Sequence, residues 1–453
     1  MRITIVGGGY VGLVSGACFA ALGAVVTIVE VDQGRFTALR EGRMPIYEPG
    51  LEALVATGRT AGRLWFADTI EVVADTDMVF LAVGTPSRRG DGHADLTYVF
   101  EAAEQVATAL TKPAVLVTKS TVPVGTGRRL AELMALWRPE LAVSVASNPE
   151  FLREGCAIDD FMQPDRIVIG TGSLAAEAML RALYAPLTSK GVRLLATGLE
   201  TAEMIKYAAN SFLAMKIAFI NEMADMCEKL GAEIGDLATG LGLDQRIGPK
   251  FLQAGPGFGG SCFPKDTQAM VRIAQDAGAP SRLVETVVAV NEARKAAMAS
   301  RIIAACGGGV RGKRIAVLGL TFKPNTDDVR DSPALGIIHR LVDEGAVVSA
   351  FDPMGCNQAR FQLPSQVNFC EDPLVALQSA DAMVVVTEWE DFKTLDPAKM
   401  RETMRGNVVV DLRNIFQGST MRAAGFVYYG VGSAPSPLDV RAETETQQLY
   451  HAG

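Results

Sequence analysis

The chain has 453 residues, too many for one ordinary hydrophobic core, and this length predicts about three domains. Hydrophobic residues make up 49% and charged residues 21%, as in a soluble globular protein, and the net charge of −8 with no basic stripe gives no reason to expect nucleic acid. The apolar runs are too short for a membrane helix, and the first ends in glycines too early for a signal peptide, so we expect a cytoplasmic protein with no membrane partner.

The first 200 residues alternate short β-branched runs with helical patterns. The runs ITIVGG, VVTIVE, MVFLAVG, AVLVTKS, VSVASNP and RIVIGTG predict buried strands, and segments such as FEAAEQVATAL predict helices between them. This α/β alternation predicts a doubly wound parallel sheet with helices on both faces. We therefore expect a Rossmann-like domain over residues 1–200.

The pattern changes at Thr201. From there to about Leu230 the sequence has no proline or internal glycine, which predicts one long helix ended by Gly231. At about 1.5 Å per residue such a helix is roughly 45 Å long, enough to seat a dimer partner. Because more helix follows to about Cys306, residues 201–306 are predicted to form a central helical dimerisation region.

After the linker-like stretch GGGVRGK the α/β alternation restarts. The runs RIAVLGL, VVSAFDP, AMVVVTE and NVVVDLR predict a second Rossmann-like parallel sheet over residues 311–434. The polar tail, residues 435–453, is expected to be mobile.

The cysteine and histidine patterns argue against several kinds of site. The seven cysteines include no CxxC pair, which disfavours a disulfide framework and a thiolate metal site. The three histidines, His93, His339 and His451, are far apart in sequence, so neither a histidine metal site nor a catalytic histidine pair is expected. We predict no metal and look for chemistry among Cys, Lys, Asp, Glu, Asn and Thr.

A dinucleotide-binding motif follows the first predicted strand. The run Gly7-Gly8-Gly9-Tyr10-Val11-Gly12 fits G-x-G-x-x-G and opens a helical pattern, so its glycines can admit a pyrophosphate to the helix N-terminus. Glu30 ends the second strand, where a carboxylate can bind the ribose hydroxyls and repel a 2′-phosphate. The motif favours NAD over NADP, although the nearby Arg35 leaves NADP open.

Two later strand ends add polar residues to this site. Thr85 and Pro86 follow the third buried run, and Ser120 and Thr121 follow the next. Ligands of open α/β sheets lie at the carboxyl ends of the strands. A threonine there is equally typical of a helix N-cap, so Thr121 alone does not decide between the two roles.

A cysteine stands inside a glycine-rich stretch, GPGFGGSCFPKDTQ at residues 255–268. Pro264 suits the first position of a helix, so Cys262 is predicted just before a helix N-terminus, which favours the thiolate. Lys265 adds positive charge, and Asp266 is either an ordinary first-turn carboxylate or a base. This setting favours a reactive cysteine over an inert one.

Other polar residues could complete a site. Glu203, Lys206 and Asn210 share one face of the long helix, and a face with charges at this spacing is usually solvated. The neighbouring residues are mostly apolar, however, which indicates that Lys206 and Asn210 are enclosed. An enclosed ammonium and amide can stabilise an oxyanion. Glu150 and Glu154 follow another strand end. Three cations, which suit a second anionic ligand such as a nucleotide diphosphate, lie in loops or at strand ends: Arg246, Lys323 and Arg413.

These motifs together resemble a known family. GGGYVG, PIYEPGL, STVPVGT, NPEFLREG, EMIKYAANSFLAMKIAFINE, RIGPKFLQAGPGFGGSCFPKD and FKPNTDDVRDSPA are similar, in order, to motifs of the UDP-glucose/GDP-mannose dehydrogenase family. The sequence of the FLQAG region most resembles that of family members that act on UDP-glucose. The resemblance implies an N-terminal NAD-binding domain, a long dimerisation helix and a C-terminal domain that binds the UDP end.

The resemblance also implies a reaction and roles in it. The sugar C6 alcohol would be oxidised by four electrons to a carboxylate, giving UDP-glucuronate, with Cys262 forming a thiohemiacetal and then a thioester. Lys206 and Asn210 would stabilise oxyanions, with Lys206 also a candidate for the first proton transfer. Water would be positioned by Asp266 and Thr121, and proton handling during hydrolysis is left open between Glu150 and Glu154.

Binding residues are implied in the same way. The implied NAD-binding residues are Gly7, Gly9, Tyr10, Val11, Gly12, Glu30, Arg35, Thr85, Pro86, Ser120, Thr121, Glu154, Lys265 and Arg330. The implied substrate-binding residues are Glu150, Phe151, Leu152, Lys206, Asn210, Phe251, Leu252, Gln253, Ala254, Gly255, Gly259, Cys262, Phe263, Lys323 and Arg413, with Arg246 reaching in from a second subunit. The acid at the end of the second strand is often Asp in such folds and is Glu30 here. This change keeps the negative charge but alters how far the carboxylate extends.

Three alternatives remain open from the sequence. A dehydrogenase for GDP-mannose or a UDP-N-acetylated sugar would use the same cysteine and lysine chemistry. A two-electron hydroxyacid dehydrogenase would need the lysine and asparagine but no cysteine nucleophile. A non-catalytic NAD sensor would need only the glycine motif and gives no reason for Cys262, Lys206 and Asp266.

Overall fold

The computed structural model describes residues 1–88, 90 and 92–433. The predicted tail, residues 435–453, lies outside this part of the chain. Within it, no helix is long and apolar enough to cross a membrane.

The described chain forms two compact units. The first comprises Met1–Ala209 and Gln268–Pro280, and the second comprises Asn210–Thr267 and the chain from Ser281 onward. The predicted central region, residues 201–306, is shared between these units, and the division into three domains stays a prediction.

The first unit contains eight strands joined mainly by helices. Its elements in chain order are β1 Arg2–Val6, α1 Tyr10–Ala21, β2 Val25–Val29, α2 Gln33–Arg40, α3 Leu51–Thr60, β3 Leu64–Ala67, a 3₁₀ helix Ile70–Asp75, β4 Met78–Leu81, α4 Thr97–Ala109, β5 Val115–Thr118, α5 Thr126–Trp137, β6 Ser144–Ser147, α6 Ala157–Met162, β7 Ile167–Thr171, α7 Leu174–Thr188 and β8 Leu194–Thr197. All six predicted strands are present. The sequence reasoning missed β3, in which Trp65 is exposed, and β8, which contains no Val or Ile.

These strands form one sheet in the order β3-β2-β1-β4-β5-β6-β7-β8. The predicted α/β fold class is confirmed, and the neighbouring strands are parallel except for β6 and β7. That pair departs from the predicted parallel arrangement because the chain turns back after β6 through a loop and the six-residue helix α6.

Four helices occupy the middle of the chain: α8 Leu199–Leu230, α9 Ile234–Leu243, α10 Phe263–Asp276 and α11 Arg282–Ala305. The predicted long helix is confirmed, beginning two residues earlier than expected. Gly231 follows it with φ 75°, a left-handed conformation that glycine adopts at little steric cost.

The second unit contains a second sheet. Its remaining elements are β9 Arg314–Leu318, α12 Pro333–Asp343, β10 Val347–Phe351, α13 Cys356–Ala359, β11 Asn368–Phe369, α14 Pro373–Leu377, β12 Ala382–Val385, α15 Glu390–Lys393, α16 Pro397–Thr403, β13 Val408–Asp411, α17 Gly418–Ala423 and β14 Val427–Tyr429. The six strands lie in the order β11-β10-β9-β12-β13-β14, with every neighbouring pair parallel. The predicted second Rossmann-like sheet is confirmed.

Each sheet is buried on both faces by its own helices. In β1, Ile5 packs into one apolar cluster of the first unit and Val6 into another. Because both faces are covered, these strands read as continuous apolar runs rather than alternating patterns. Several polar residues of the candidate site follow the carboxyl ends of the strands.

Candidate functional site

The turn between β1 and α1 leaves space for a ligand. Gly7 has φ 111°, and a Cβ on Gly12 would lie 1.9 Å from the carbonyl oxygen of Gly7, so neither position tolerates a side chain. Gly9 differs, because a Cβ there would meet nothing within 4 Å. Gly9 caps α1 with no side chain, and the open space beside it is what a pyrophosphate needs to approach the helix N-terminus.

Glu30 follows β2 beside this turn and is 6% exposed. In the described part of the chain its carboxylate accepts one hydrogen bond, from the backbone N–H of Asp32 at 2.9 Å. A buried carboxylate with so few donors has acceptor capacity left for ribose hydroxyls. Arg35 lies in the first turn of α2, where its backbone N–H donates to Asp32, the N-cap of that helix.

The turns after β4 and β5 are joined by hydroxyl groups. The Thr85 hydroxyl donates to the carbonyl of Thr121 at 2.9 Å, and the Ser120 hydroxyl donates to the carbonyl of Val83 at 2.6 Å. These bonds bring the predicted residues of two strand ends together. Pro86 lies in the same turn as Thr85 and is exposed.

A buried ion pair follows β6. The Lys206 ammonium donates to a Glu150 carboxylate oxygen at 2.7 Å, and the two side chains are 3% and 6% exposed. Burial raises the pKa of Glu150, but the charge and hydrogen bond of Lys206, the N–H of Leu152 and the charge of Lys119 outweigh it, so the net pKa is lowered. The Glu150 carboxylate therefore stays ionised at neutral pH.

Phe151 is flanked by cations. The Arg166 guanidinium lies 3.7 Å from the centroid of its ring and the Lys206 ammonium 5.5 Å from it. Both contacts are favourable because an aromatic face attracts cations.

The sequence reasoning missed a second buried lysine. Lys119, between β5 and Ser120, is 5% exposed and donates to Asn148 at 3.1 Å and Tyr184 at 3.4 Å. Burial lowers its pKa to about 8. Its position at the carboxyl end of a predicted strand is a sequence signal that places it near the candidate site.

Glu203 is buried rather than part of a solvated helix face. Its carboxylate accepts the backbone N–H groups of Gly125 and Gly127, each at 2.7 Å, and so caps the N-terminus of α5. Burial raises the pKa of Glu203 to about 7 despite these two donors. The residue ties α8 to the STVPVGT segment that contains Thr121.

Tyr10 belongs to another network of the first unit. Its hydroxyl donates to Glu48, which also accepts the backbone N–H groups of Gly155 at 2.6 Å and Ala157 at 2.7 Å. Burial and the charge of Glu48, with a smaller effect of Glu154, raise the pKa of Tyr10. Glu48 comes from the PIYEPGL motif, so that motif holds the end of the NPEFLREG segment.

In the second unit, Cys262 begins a helix as predicted. The carbonyl of Cys262 accepts the backbone N–H of Asp266 at 2.8 Å, which makes Cys262 the N-cap of α10. The helix starts at Phe263, one residue before Pro264. The thiol is partly exposed and lies 3.6 Å from the hydroxyl of Ser261, and none of the seven cysteines, all within the described residues, forms a disulfide.

The first turn of α10 contains a buried hydrogen-bond network. Asp266 is 1% exposed and accepts the Asn210 side-chain amide at 2.6 Å and the Lys265 ammonium at 2.7 Å. Asn210 itself is 6% exposed, so the predicted enclosure of Lys206 and Asn210 on α8 is borne out. The network fixes a carboxylate one turn from the thiol.

The segment before Cys262 is crowded by backbone and rings. A Cβ on Gly259 would lie 2.3 Å from the carbonyl oxygen of Asp331, and one on Gly260 would lie 2.7 Å from the ring of Phe322. Phe251 has φ 66°, which is strained for a bulky residue, and strain of this kind clusters at ligand sites. Of the rest of the FLQAG segment, Leu252 and Ala254 are buried and Gln253 is exposed.

The remaining predicted cations are held in different ways. Arg413, which follows β13, pairs with Glu388 at 3.0 Å, and a Cβ on Gly255 would lie 3.0 Å from its guanidinium. Arg330 pairs with Asp328, and Lys323 lies over the ring of Phe322. Arg246 pairs with Asp244, two residues away, and its side chain is 89% exposed.

Two sets of predicted residues are therefore brought together, one in each unit. The first unit contains the glycine turn, Glu30, the Thr85–Thr121 contact and the Glu150–Lys206 pair. The second contains Cys262, the network of Asp266 and the segment from Phe251 to Gly260.

Three domain models of one family match this chain. The NAD-binding domain of the UDP-glucose/GDP-mannose dehydrogenase family matches residues 1–188, its central domain residues 200–293 and its UDP-binding domain residues 316–418. The chain belongs to this family. It is accordingly an oxidoreductase with NAD as its cofactor, and the open turn at Gly9 and the lightly bonded Glu30 fit that cofactor.

Individual relatives extend the comparison over almost the whole chain. The UDP-glucose 6-dehydrogenase of Rhizobium meliloti is 54% identical over 435 residues, covering 95% of this chain and 99% of the relative. A UDP-glucose dehydrogenase structure from Pyrobaculum islandicum is 41% identical with a TM-score of 0.88, covering 96% and 98% of the two chains. A UDP-D-ManNAc dehydrogenase structure from Pyrococcus horikoshii is 26% identical with a TM-score of 0.85, covering 96% and 100%.

Proposed function

We propose that this chain oxidises UDP-glucose to UDP-glucuronate, with Cys262 as the nucleophile. The observation that carries the proposal is Cys262 at the N-cap of α10, one turn from the buried Asp266–Asn210 network. A two-electron dehydrogenase would need no such thiol, and an NAD sensor would need neither the thiol nor the carboxylate.

The proposed reaction balances as a four-electron oxidation. One UDP-glucose, two NAD+ and one water give one UDP-glucuronate, two NADH and three protons. When bound, each NAD+ accepts one hydride from the sugar C6. The aldehyde carbon carries no hydroxyl oxygen that can drive out its remaining hydrogen as hydride. The Cys262 sulfur therefore adds to this carbon and forms a thiohemiacetal, which does. Loss of the second hydride leaves a thioester, and water replaces the sulfur to give the carboxylate.

The side chains of the two networks suit distinct parts of this chemistry. The helix N-terminus of α10 favours the Cys262 thiolate. We assign oxyanion stabilisation to the Lys206 ammonium and the Asn210 amide, which are both enclosed and carry N–H donors. Asp266 and Thr121 would hold the hydrolytic water. Lys206, whose ammonium donates to Glu150 at 2.7 Å, is the candidate for the first proton transfer. Glu150 and Glu154 are the candidates for proton handling during hydrolysis.

UDP-glucose is favoured over other nucleotide sugars by the relatives. The UDP-glucose enzyme of Rhizobium meliloti is 54% identical to this chain, against 26% for the UDP-D-ManNAc enzyme. In this proposal Lys323 and Arg413 bind the substrate, the backbone of the FLQAG segment wraps its diphosphate and sugar, and Arg330 and Lys265 contact NAD.

We also propose a homodimer through α8. Phe212, Phe219 and Met226 are spaced seven residues apart on this helix and are 59%, 46% and 50% exposed. Such an apolar stripe is typical of a helix that packs against another helix. The 89% exposed side chain of Arg246 is then available to a second subunit. Replacing Phe219 by Glu should produce a monomer in light scattering, and an unchanged mass would contradict this interface.

The activity is tested with a panel of nucleotide sugars. We expect NADH formation with UDP-glucose to exceed that with GDP-mannose and UDP-N-acetylated sugars, and Cys262→Ala and Cys262→Ser to form no UDP-glucuronate while still binding NAD. Preferred oxidation of another sugar would overturn the substrate assignment. Normal turnover by Cys262→Ala would overturn the covalent mechanism.

A further inference from the structure

The segment Gly255–Gly260, just before Cys262, is buried but belongs to no helix or strand. Buried backbone N–H and C=O groups need hydrogen-bond partners, and this segment has no neighbouring strand to supply them. The backbone N–H of Gly260 donates to the carbonyl of Arg330 at 2.8 Å. At Gly255 and Phe258 the partners are side chains, and these side chains hold the first part of the segment.

Asn291 supplies the central pair of bonds. It lies on α11, is 3% exposed, and its side-chain oxygen accepts the backbone N–H of Phe258 at 2.8 Å while its amide nitrogen donates to the Phe258 carbonyl at 3.0 Å. One carboxamide thus pairs with both backbone groups of one residue, as a peptide of a neighbouring strand would.

The position is specific for this side chain. A Cβ on Gly257, which has φ 111°, would come within 3.0 Å of the Asn291 oxygen, so the segment is clear of side chains where the carboxamide reaches it. Aspartate has the same shape but lacks the N–H donor for the Phe258 carbonyl.

Two further buried side chains fix the start of the segment. Asn221 on α8 accepts the backbone N–H of Gly255 at 2.8 Å, and the Arg294 guanidinium donates to the Gly255 carbonyl at 2.7 Å. With Gly255 held in this way and Gly260 bonded to the carbonyl of Arg330, Asn291 fixes the backbone at Phe258, between these two points.

The effect of Asn291 reaches the thiol through an aromatic contact. The Phe258 ring packs edge-to-face on the ring of Phe263, with centroids 6.0 Å apart. Phe263 is the first residue of α10 and adjoins Cys262. A displaced Phe258 would therefore shift both ends of the short connection that contains the cysteine.

We propose that Asn291 is a positioning residue that places the Cys262 sulfur for its addition to the aldehyde carbon. The proposal rests on the proposed function, in which Cys262 is the nucleophile. Removal of the first hydride does not need the sulfur, whereas removal of the second does. A misplaced sulfur should therefore let some turnovers stop at the aldehyde, with one NADH and one proton formed per sugar.

The test compares Asn291→Asp and Asn291→Leu with the full-length wild-type chain. Ala293→Leu, an exposed change on the same helix, is the matched control. The measurements are NADH formed per UDP-glucose consumed at completion and aldehyde captured by a hydrazine probe. We expect kcat to fall by about 10- to 100-fold in both variants. The ratio of NADH formed to UDP-glucose consumed should fall below two, and captured aldehyde should appear, more in Asn291→Leu than in Asn291→Asp. The control should match the wild-type chain.

The ratio separates positioning from folding, because unfolded enzyme lowers the rate without changing the products of the remaining molecules. A ratio of two with no captured aldehyde in a slow variant would overturn the proposal. If Asn291→Leu does not fold, Asn291→Asp decides.

A second readout does not depend on the reaction. Iodoacetamide labelling of Cys262 is measured by peptide mass spectrometry against the exposed Cys156, with the buried Cys306 as a check on folding. We expect Asn291→Asp to change the Cys262 to Cys156 labelling ratio at least about threefold, as a displaced N-cap thiol requires, with Cys306 still protected. An unchanged ratio would overturn positioning by Asn291, whereas a wild-type chain that produces no NADH from UDP-glucose would refute only the proposed function.

Discussion

The six strands of the second sheet repeat the order of six neighbouring strands of the first, β3-β2-β1-β4-β5-β6, but the two sheets differ at the same turn. Gly7 follows β1 and donates to the carbonyl that ends β2, and Gly319 follows β9 and donates to the carbonyl that ends β10. The next residues after these second strands are the acids Glu30 and Asp352. They occupy equivalent positions, yet only one of them is available to a ligand.

The difference lies in the hydrogen bonds each acid accepts. Glu30 accepts one within the described residues. Asp352 accepts six, from the backbone N–H groups of Leu320, Thr321, Met354 and Gly355, the Thr321 hydroxyl and the Trp389 indole. In the second unit the protein itself fills the place that a dinucleotide takes in the first, so one fold serves a cofactor site and a closed structural turn.

Replacing Asp352 should have the largest effect on this comparison. Asp352→Ala leaves several buried donors without an acceptor, and we expect a loss of about 3 kcal/mol or more in the free energy of unfolding. Glu30→Ala should cost less than about 1 kcal/mol, since it orphans one N–H. Urea titration followed by circular dichroism measures both, and equal losses would show that the two corners are alike.

The glycines of the two turns give the next test. A Cβ on Gly319 would lie 2.5 Å from the backbone nitrogen of Thr387, and its φ is 97°, so Gly319→Ala should destabilise the protein by about 2 kcal/mol. Gly9→Ala should leave the melting temperature unchanged and raise the KM for NAD about tenfold or more, because the added methyl group occupies only ligand space. An unchanged KM would refute the assignment of Gly9 to the cofactor.

A third test concerns the choice of cofactor. Glu30→Gln removes the charge that repels a 2′-phosphate, and we expect the NAD to NADP ratio of kcat/KM to fall about tenfold, or about 1.4 kcal/mol. Asp68→Asn, an exposed carboxylate of the first unit, is the control. A ratio that stays at the wild-type value would refute the assignment of Glu30 to the ribose site.

The last test concerns the pH dependence of stability. Burial raises the pKa of Glu203 from 4.5 to about 7, with only two donors against the six of Asp352. A raised folded-state pKa contributes stability that is complete below pH 4.5 and is lost as the pH rises through 7. We expect Glu203→Gln to remove a decline of up to about 3 kcal/mol in the free energy of unfolding between these pH values, whereas Glu200→Gln, 41% exposed, should retain it. Parallel stability curves for the two variants would contradict this account of Glu203.

The sequence was enough for most of the fold because its signals are local. Buried strands, the glycine turn and the long helix each follow from runs of a few residues, and Cys262 at a helix start follows from Pro264. The short edge strand β3 was missed because Trp65 is exposed and the run is only four residues.

The supports of the site could not be predicted in the same way. Asn291 and Asn221 are ordinary polar residues in helical patterns, and their partners are backbone groups at sequence separations of more than thirty residues. The contrast between Glu30 and Asp352 is likewise invisible in sequence, because it depends on how many N–H groups the folded chain turns toward each acid.

The central claim is that this chain removes four electrons from UDP-glucose by way of Cys262. It is tested most directly by counting NADH per UDP-glucose consumed, at completion and with excess NAD, in the wild-type chain. We expect two NADH and one UDP-glucuronate for each UDP-glucose consumed. One NADH per sugar, with an aldehyde as the product, would contradict it.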